Sequence, residues 1–221
     1  MTYPIPDQWF LSGAWPSGLQ ALQTRESIIV VCYGDSITYG FDCETGMQVT
    51  QPYPSRLSQR LQEWAGGPHI HLANAGHNGW TSEDGKLGLE SQVLSRQPDI
   101  VLLMFGLNDA YQDLPLEVFR HNLTDMTTRI LDTGALLLLM PPTPVAYMPG
   151  VEVPEYAAIV RNVASLHEGV AFFDLHAAVQ DLLSHGQAEV DDLLPDGVHF
   201  SPEGYPLLGD LVFSAWQRMG E

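Results

Sequence analysis

The chain is 221 residues long, room for one substantial hydrophobic core, and carries 27 aspartates and glutamates against 9 lysines and arginines, a formal charge of -18. Such a balance repels phosphate backbones and anionic membrane surfaces, so nucleic-acid and membrane-surface binding are set aside. No apolar segment approaches the ~20 residues that cross a bilayer, and residues 1–10 show no basic region followed by an apolar run, so a cytoplasmic protein is expected.

Residues 1–27 place Trp9, Phe10 and Trp15 among Pro4, Pro6, Gly13, Pro16 and Gly18, with no sustained helical or strand period. They read as an irregular extension whose aromatic residues pack on the main domain or on a second subunit, the latter giving a homo-oligomer. Residues 28–221 read as one domain. Its apolar runs are Ile28 to Tyr33, Ile70 to Ala75, Ile100 to Phe105, Ala135 to Met140 and Val170 to Phe173. Five strands alternating with amphipathic stretches predict a parallel sheet covered by helices on both faces, an α/β fold.

The helical stretches follow the same order. Leu57, Leu61 and Trp64 repeat at helical spacing ahead of Gly66, Gly67 and Pro68, and Ser82 to Ser95 forms a weaker helix. Phe119, Leu123, Met126 and Ile130 make a clear stripe; Tyr156, Ile159, Val160 and Val163 make another; Leu208, Leu211, Val212 and Ala215 make the last. Ser201 and Pro202 are expected to cap and begin that final helix. Cys32 and Cys43 are too few for a disulfide framework.

Open parallel sheets build their sites outside the carboxyl ends of the strands. Three chemically suggestive stretches follow strands directly: Gly34-Asp35-Ser36, Asn74 to Gly79, and Gly106-Leu107-Asn108-Asp109. A fourth, Asp196-Gly197-Val198-His199, lies beyond the last strand. A serine hydroxyl needs a base to take its proton, and histidine is the usual one. Of the eight histidines, His199 has a carboxylate, Asp196, three residues ahead of it, able to hold one ring nitrogen. Asp174, at the end of the fifth strand, is a rival for that acid. Acyl transfer also needs donors for a developing oxyanion, available from the Ser36 N–H, a glycine N–H in the second stretch, and the Asn108 amide.

Taken together in this order, the four stretches resemble the SGNH hydrolases, also called GDSL esterases and lipases, from about Ile28 to the C-terminus. The resemblance implies a flavodoxin-like three-layer α/β/α sandwich with a five-stranded parallel sheet. It also implies catalysis of carboxylic ester or thioester hydrolysis with no metal and no cofactor. By that resemblance Ser36 is the nucleophile, His199 the base and Asp196 its orienting acid, while Gly79 and Asn108 complete the oxyanion hole with Ser36. Gly79 is preferred to Gly76 because its spacing from Asn74 matches the family's usual glycine. Ser36 is not set in a Gly-x-Ser-x-Gly elbow, which argues against the α/β-hydrolase fold.

The partner expected is a small-molecule ester with a short acyl chain, including acetyl groups on carbohydrate. Tyr39, Trp80 and Tyr147 are the residues picked for substrate contact, with Phe41 adding aromatic surface and the loop Pro141 to Pro154 forming a pocket wall or a lid. His69 and His71 alternate at the start of the second strand, but no carboxylate or cysteine cluster joins them as a metal site. The competing readings are an acyltransferase or thioesterase on the same residues, separated by product analysis with competing alcohols, and a binding protein without activity.

Overall fold

A computed structural model describes residues 5–11, 25–65, 69–184 and 189–219. The five apolar runs form β1 (Ile28–Gly34), β2 (Ile70–Gly76), β3 (Ile100–Met104), β4 (Leu136–Leu139) and β5 (Val170–Phe172). All neighbours are parallel, in the order β2-β1-β3-β4-β5, with Ile28 beside Ile70, Val30 beside Ile100 and Ile100 beside Leu136. Central β3 is buried along its whole length because helices cover both faces, whereas the edge strand β2 has exposed positions.

Nine helices connect and cover the strands among the described residues: α1 (Ser36–Tyr39), α2 (Tyr53–Ala65), α3 (Ser82–Gln92), α4 (Leu107–Tyr111), α5 (Leu116–Leu131), α6 (Val153–Leu166), α7 (Leu175–Ser184), α8 (Val190–Leu193) and α9 (Gly204–Met219). Helices α2 and α9 pack on each other, while α3, α5 and α6 pack side by side, giving the three-layer α/β/α sandwich. The stripes predicted on α5, α6 and α9 are all buried. On α2, Leu57 and Leu61 are buried but Trp64, at the end of the helix, is exposed. Helix α3 stops at Gln92, earlier than expected, and a 3-10 turn over Leu94–Arg96 follows. The last helix begins at Gly204, with Pro202 in the turn ahead of it, and the Ser201 hydroxyl accepts the Gly204 N–H at 3.1 Å.

Part of the irregular extension meets the chain just past the end of β5. Trp9 is buried, its carbonyl accepts the Asp174 N–H at 2.8 Å, and Phe10 bridges to Phe173 with their rings stacked 5.6 Å apart. Trp15 lies outside the described residues. Both cysteines are free thiols, and no helix among the described residues is long and apolar enough to cross a membrane.

Candidate active site

The strand order reverses between β1 and β3, and a crevice forms there at the carboxyl ends of the strands. Ser36 leaves β1 into it and begins α1. Asp35 caps that helix through Oδ1, which accepts the Ile37 N–H at 3.0 Å. Being in the first turn, the Ser36 N–H has no acceptor within its own helix. Asp35 itself is almost wholly buried. Burial pushes its carboxyl up to about 7, against the Ile37 hydrogen bond and with help from the Asp109 charge.

His199 reaches the same crevice from the opposite side. Its Nε2 lies 3.0 Å from Ser36 Oγ and its Nδ1 lies 2.7 Å from Asp196 Oδ2. The other oxygen, Asp196 Oδ1, accepts the backbone N–H of Val198 at 2.9 Å and of His199 at 2.7 Å, so the carboxylate is clamped by its own turn. Burial acts to raise the Asp196 carboxyl, but the His199 ring and these two N–H groups outweigh it and hold the group below its ordinary value. The Phe41 ring packs against the imidazole at 4.8 Å, and the Tyr205 hydroxyl donates to the Phe41 carbonyl at 2.8 Å. Asp174, the rival acid, accepts instead from Arg161 Nη2 and the Ala177 N–H, both at 3.1 Å.

The second and third stretches follow β2 and β3. Gly76 packs so closely on α1 that a Cβ there would lie 2.0 Å from the Tyr39 nitrogen, and its N–H already donates to Asn74 Oδ1 at 2.9 Å. Gly79 differs on both counts. Its φ of 75° is the left-handed region, the space where a Cβ would sit is open, and its N–H has no partner among the described residues. Asn108 Nδ2 donates one hydrogen to the Trp80 carbonyl at 2.9 Å, which fixes the amide and leaves its second hydrogen directed elsewhere. Asp109, fully buried, accepts from the Ser82 N–H and hydroxyl; burial raises its carboxyl to about 6 against those bonds.

A cavity of about 230 Å³ opens beside Ser36 and Asn108, and no residue of the second stretch, Gly79 included, lines it. Ser36, Asn108, Asp196 and His199 form its polar side; Leu107, Tyr111, Val145, Met148, Val151 and Val198 form its apolar side. The loop after β4 thus supplies a wall, and its Ala146 N–H donates to the Gly197 carbonyl at 2.7 Å, tying it to the histidine turn. Of the residues picked for substrate contact, none lines this cavity. Trp80 turns away to stack on His77 at 3.8 Å and set its edge on Tyr33. Tyr147 projects into solvent, 76% exposed, and Tyr39 is half-buried at the end of α1. Leu107, Tyr111, Val151 and Val198 were missed. Leu107 and Val198 sit inside the motifs beside Asn108 and His199, and Tyr111 is one helical turn past Asn108, so motif adjacency was the available signal. Among the described residues no group of three or more His, Cys, Asp or Glu side chains is placed to hold a metal ion.

Known proteins match this chain over most of its length. An arylesterase of Vibrio mimicus is 27% identical over 201 residues, covering 87% of this chain and 88% of that protein. An acetylxylan esterase of Geobacillus stearothermophilus is 29% identical over 156 residues, 63% of this chain and 68% of that one. Among solved structures, a catalytic mutant of an acetylxylan esterase from Geobacillus stearothermophilus superposes with a TM-score of 0.74 at 21% identity, covering 90% of this chain and 96% of that one. A putative lipolytic protein of the G-D-S-L family from Desulfitobacterium hafniense DCB-2 gives 0.70 at 24% identity, covering 85% and 98%. At these identities the superpositions establish the fold. The family described as GDSL-like Lipase/Acylhydrolase matches residues 32–207, which takes in every motif named above. This chain belongs to that family, the SGNH hydrolases, and is an ester hydrolase.

Proposed function

We propose that the protein is a serine esterase that works through a covalent acyl-enzyme on short-chain acyl esters, with acetyl groups on carbohydrate among its substrates. The observation that carries this reading is the continuous line Asp196 Oδ2 to His199 Nδ1, 2.7 Å, and His199 Nε2 to Ser36 Oγ, 3.0 Å, ending at the floor of the cavity. Ser36 Oγ attacks the ester carbonyl while His199 Nε2 takes its proton, and Asp196 stabilises the imidazolium that results. Negative charge developing on the carbonyl oxygen is taken up by the Ser36 N–H and the free hydrogen of the Asn108 amide, with the Gly79 N–H as the third donor. His199 returns the proton to the leaving alcohol. Water then attacks the acyl-enzyme with His199 again as base, and the carboxylic acid departs.

The size and lining of the cavity support a short acyl chain or a small alcohol on the apolar side, with the bulk of a larger alcohol left outside. The names of the two relatives, an arylesterase and an acetylxylan esterase, support this reading, the second for acetyl on a carbohydrate. The test is turnover of p-nitrophenyl acetate by the parent and by Ser36→Ala without added metal. Hydrolysis by the parent that disappears in the variant is expected; equal rates from the two would remove Ser36 from the reaction.

A further inference from the structure

Behind the oxyanion donors runs a row of polar groups that the ester chemistry itself does not call on. Lys86, the only lysine in the sequence, donates from Nζ to Asn122 Oδ1 at 3.1 Å. Asn122 Nδ2 donates to Ser82 Oγ at 3.1 Å, and Ser82 Oγ donates to Asp109 Oδ1 at 2.5 Å. Ser82, Asn122 and Asp109 are all buried. Every donor points the same way, from the ammonium to the carboxylate, and hydrogen bonds aligned in this manner strengthen one another. The Asp109 carboxylate also accepts the Ser82 N–H, 3.0 Å from each oxygen, so it caps α3 from across the crevice.

Asp109 adjoins Asn108, and Ser82 lies three residues past Gly79. The loop 79–82 and the first turn of α4 are therefore fastened at two points: Asn108 Nδ2 to the Trp80 carbonyl, and Ser82 to Asp109. Resting on the reading of Gly79 and Asn108 as oxyanion donors, we propose that Lys86, Asn122, Ser82 and Asp109 form a positioning chain that locks those two donors into one rigid unit and sets the turnover rate without touching the ester. A carboxylate suits the end of the chain because it accepts from both the Ser82 N–H and the Ser82 hydroxyl, whereas an amide would turn an N–H towards one of those donors. Groups that only fill the core would change the unfolding temperature and leave kcat alone.

The experiment measures kcat and KM for p-nitrophenyl acetate, well below the unfolding temperature, in Lys86→Met, Lys86→Arg, Asp109→Asn and Asn108→Ala, and in the first and third combined with Asn108→Ala. Asn108→Ala should lower kcat about 100-fold. Lys86→Met should lower kcat about threefold to tenfold with KM unchanged, Lys86→Arg should restore most of it, and Asp109→Asn should lower kcat about tenfold or more. In the Asn108→Ala background the two further losses should shrink to about twofold or less, since the group they position is gone. Undiminished kcat in Lys86→Met, or losses that multiply in full with Asn108→Ala, would overturn the chain while leaving the oxyanion hole standing. An Asn108→Ala protein with parental kcat would overturn both. Should Asp109→Asn fail to fold, the Lys86 variants decide the matter alone.

Discussion

Replacing Asp35 by asparagine isolates the cost of burying a carboxylate one residue ahead of Ser36. The amide has the same shape and its oxygen can still accept the Ile37 N–H, so the cap on α1 survives while the charge is lost. In the folded protein the Asp35 carboxyl is raised from an ordinary 3.8 to about 7, first by burial and then by the Asp109 charge, against the Ile37 bond. The folded state therefore holds the proton more tightly than the unfolded chain. Below the unfolded value both states are protonated and burial carries no ionic cost. As pH rises towards 7 the unfolded chain releases its proton first, and the parent loses stability until the folded group also ionises. At about 1.4 kcal/mol per pH unit, the interval amounts to about 4 kcal/mol at pH 8. Urea unfolding of parent and Asp35→Asn between pH 4 and 8 reads this directly, because the remaining carboxylates are common to both proteins. The stability advantage of the variant should grow by about 4 kcal/mol from pH 4 to pH 8. A difference that stays flat, or that narrows as pH rises, would refute the account of Asp35 as a desolvated carboxylate.

The two glycines of the second motif should separate cleanly. Gly79→Ala should fold with a loss of about 1–2 kcal/mol from the left-handed backbone and lower kcat/KM about tenfold or more, because relief of that strain turns the N–H away from its direction. Gly76→Ala should instead lose about 3 kcal/mol or more of stability, since its Cβ lands on the α1 backbone; thermal unfolding beside the kinetics distinguishes the two. Met148→Ala should enlarge the apolar side of the cavity and raise kcat/KM for p-nitrophenyl butyrate relative to acetate by about threefold per added methylene. An unchanged ratio would place the acyl chain elsewhere.

The strands were legible because β1, β3 and β4 are covered on both sides and so read as unbroken apolar runs. Helices α5, α6 and α9 were legible because each buries one stripe. Helix α3 was faint for a physical reason: Gly85 and Gly88 face the core, where a Cβ would meet the Phe105 ring at 2.7 Å and the Trp80 ring at 2.8 Å. Its packing surface is supplied by its neighbours' aromatic rings, which a pattern of its own residues does not record. Three of the four motifs, those of Ser36, Asn108 and Asp196 with His199, meet at the cavity, because each follows a strand or a capped turn. The cavity wall was less readable. Whether Trp80 faces the substrate or stacks on His77 depends on the path of a loop, and no periodicity encodes that. The loop after β4 left a wall and a lid equally open in the sequence; Val145 and Met148 line the cavity, while Tyr147, with a φ of 58°, turns out to solvent.

The central claim is that Ser36 forms the covalent bond with the acyl group. Its most direct test is incubation with an alkyl fluorophosphonate, which traps an activated serine irreversibly, followed by peptide mapping by mass spectrometry. The account predicts one adduct per chain, on the peptide carrying Ser36, appearing in step with loss of esterase activity, absent from Ser36→Ala and much slower in His199→Ala. Full esterase activity in a protein whose Ser36 is modified, or inactivation that tracks an adduct on another residue, would contradict it.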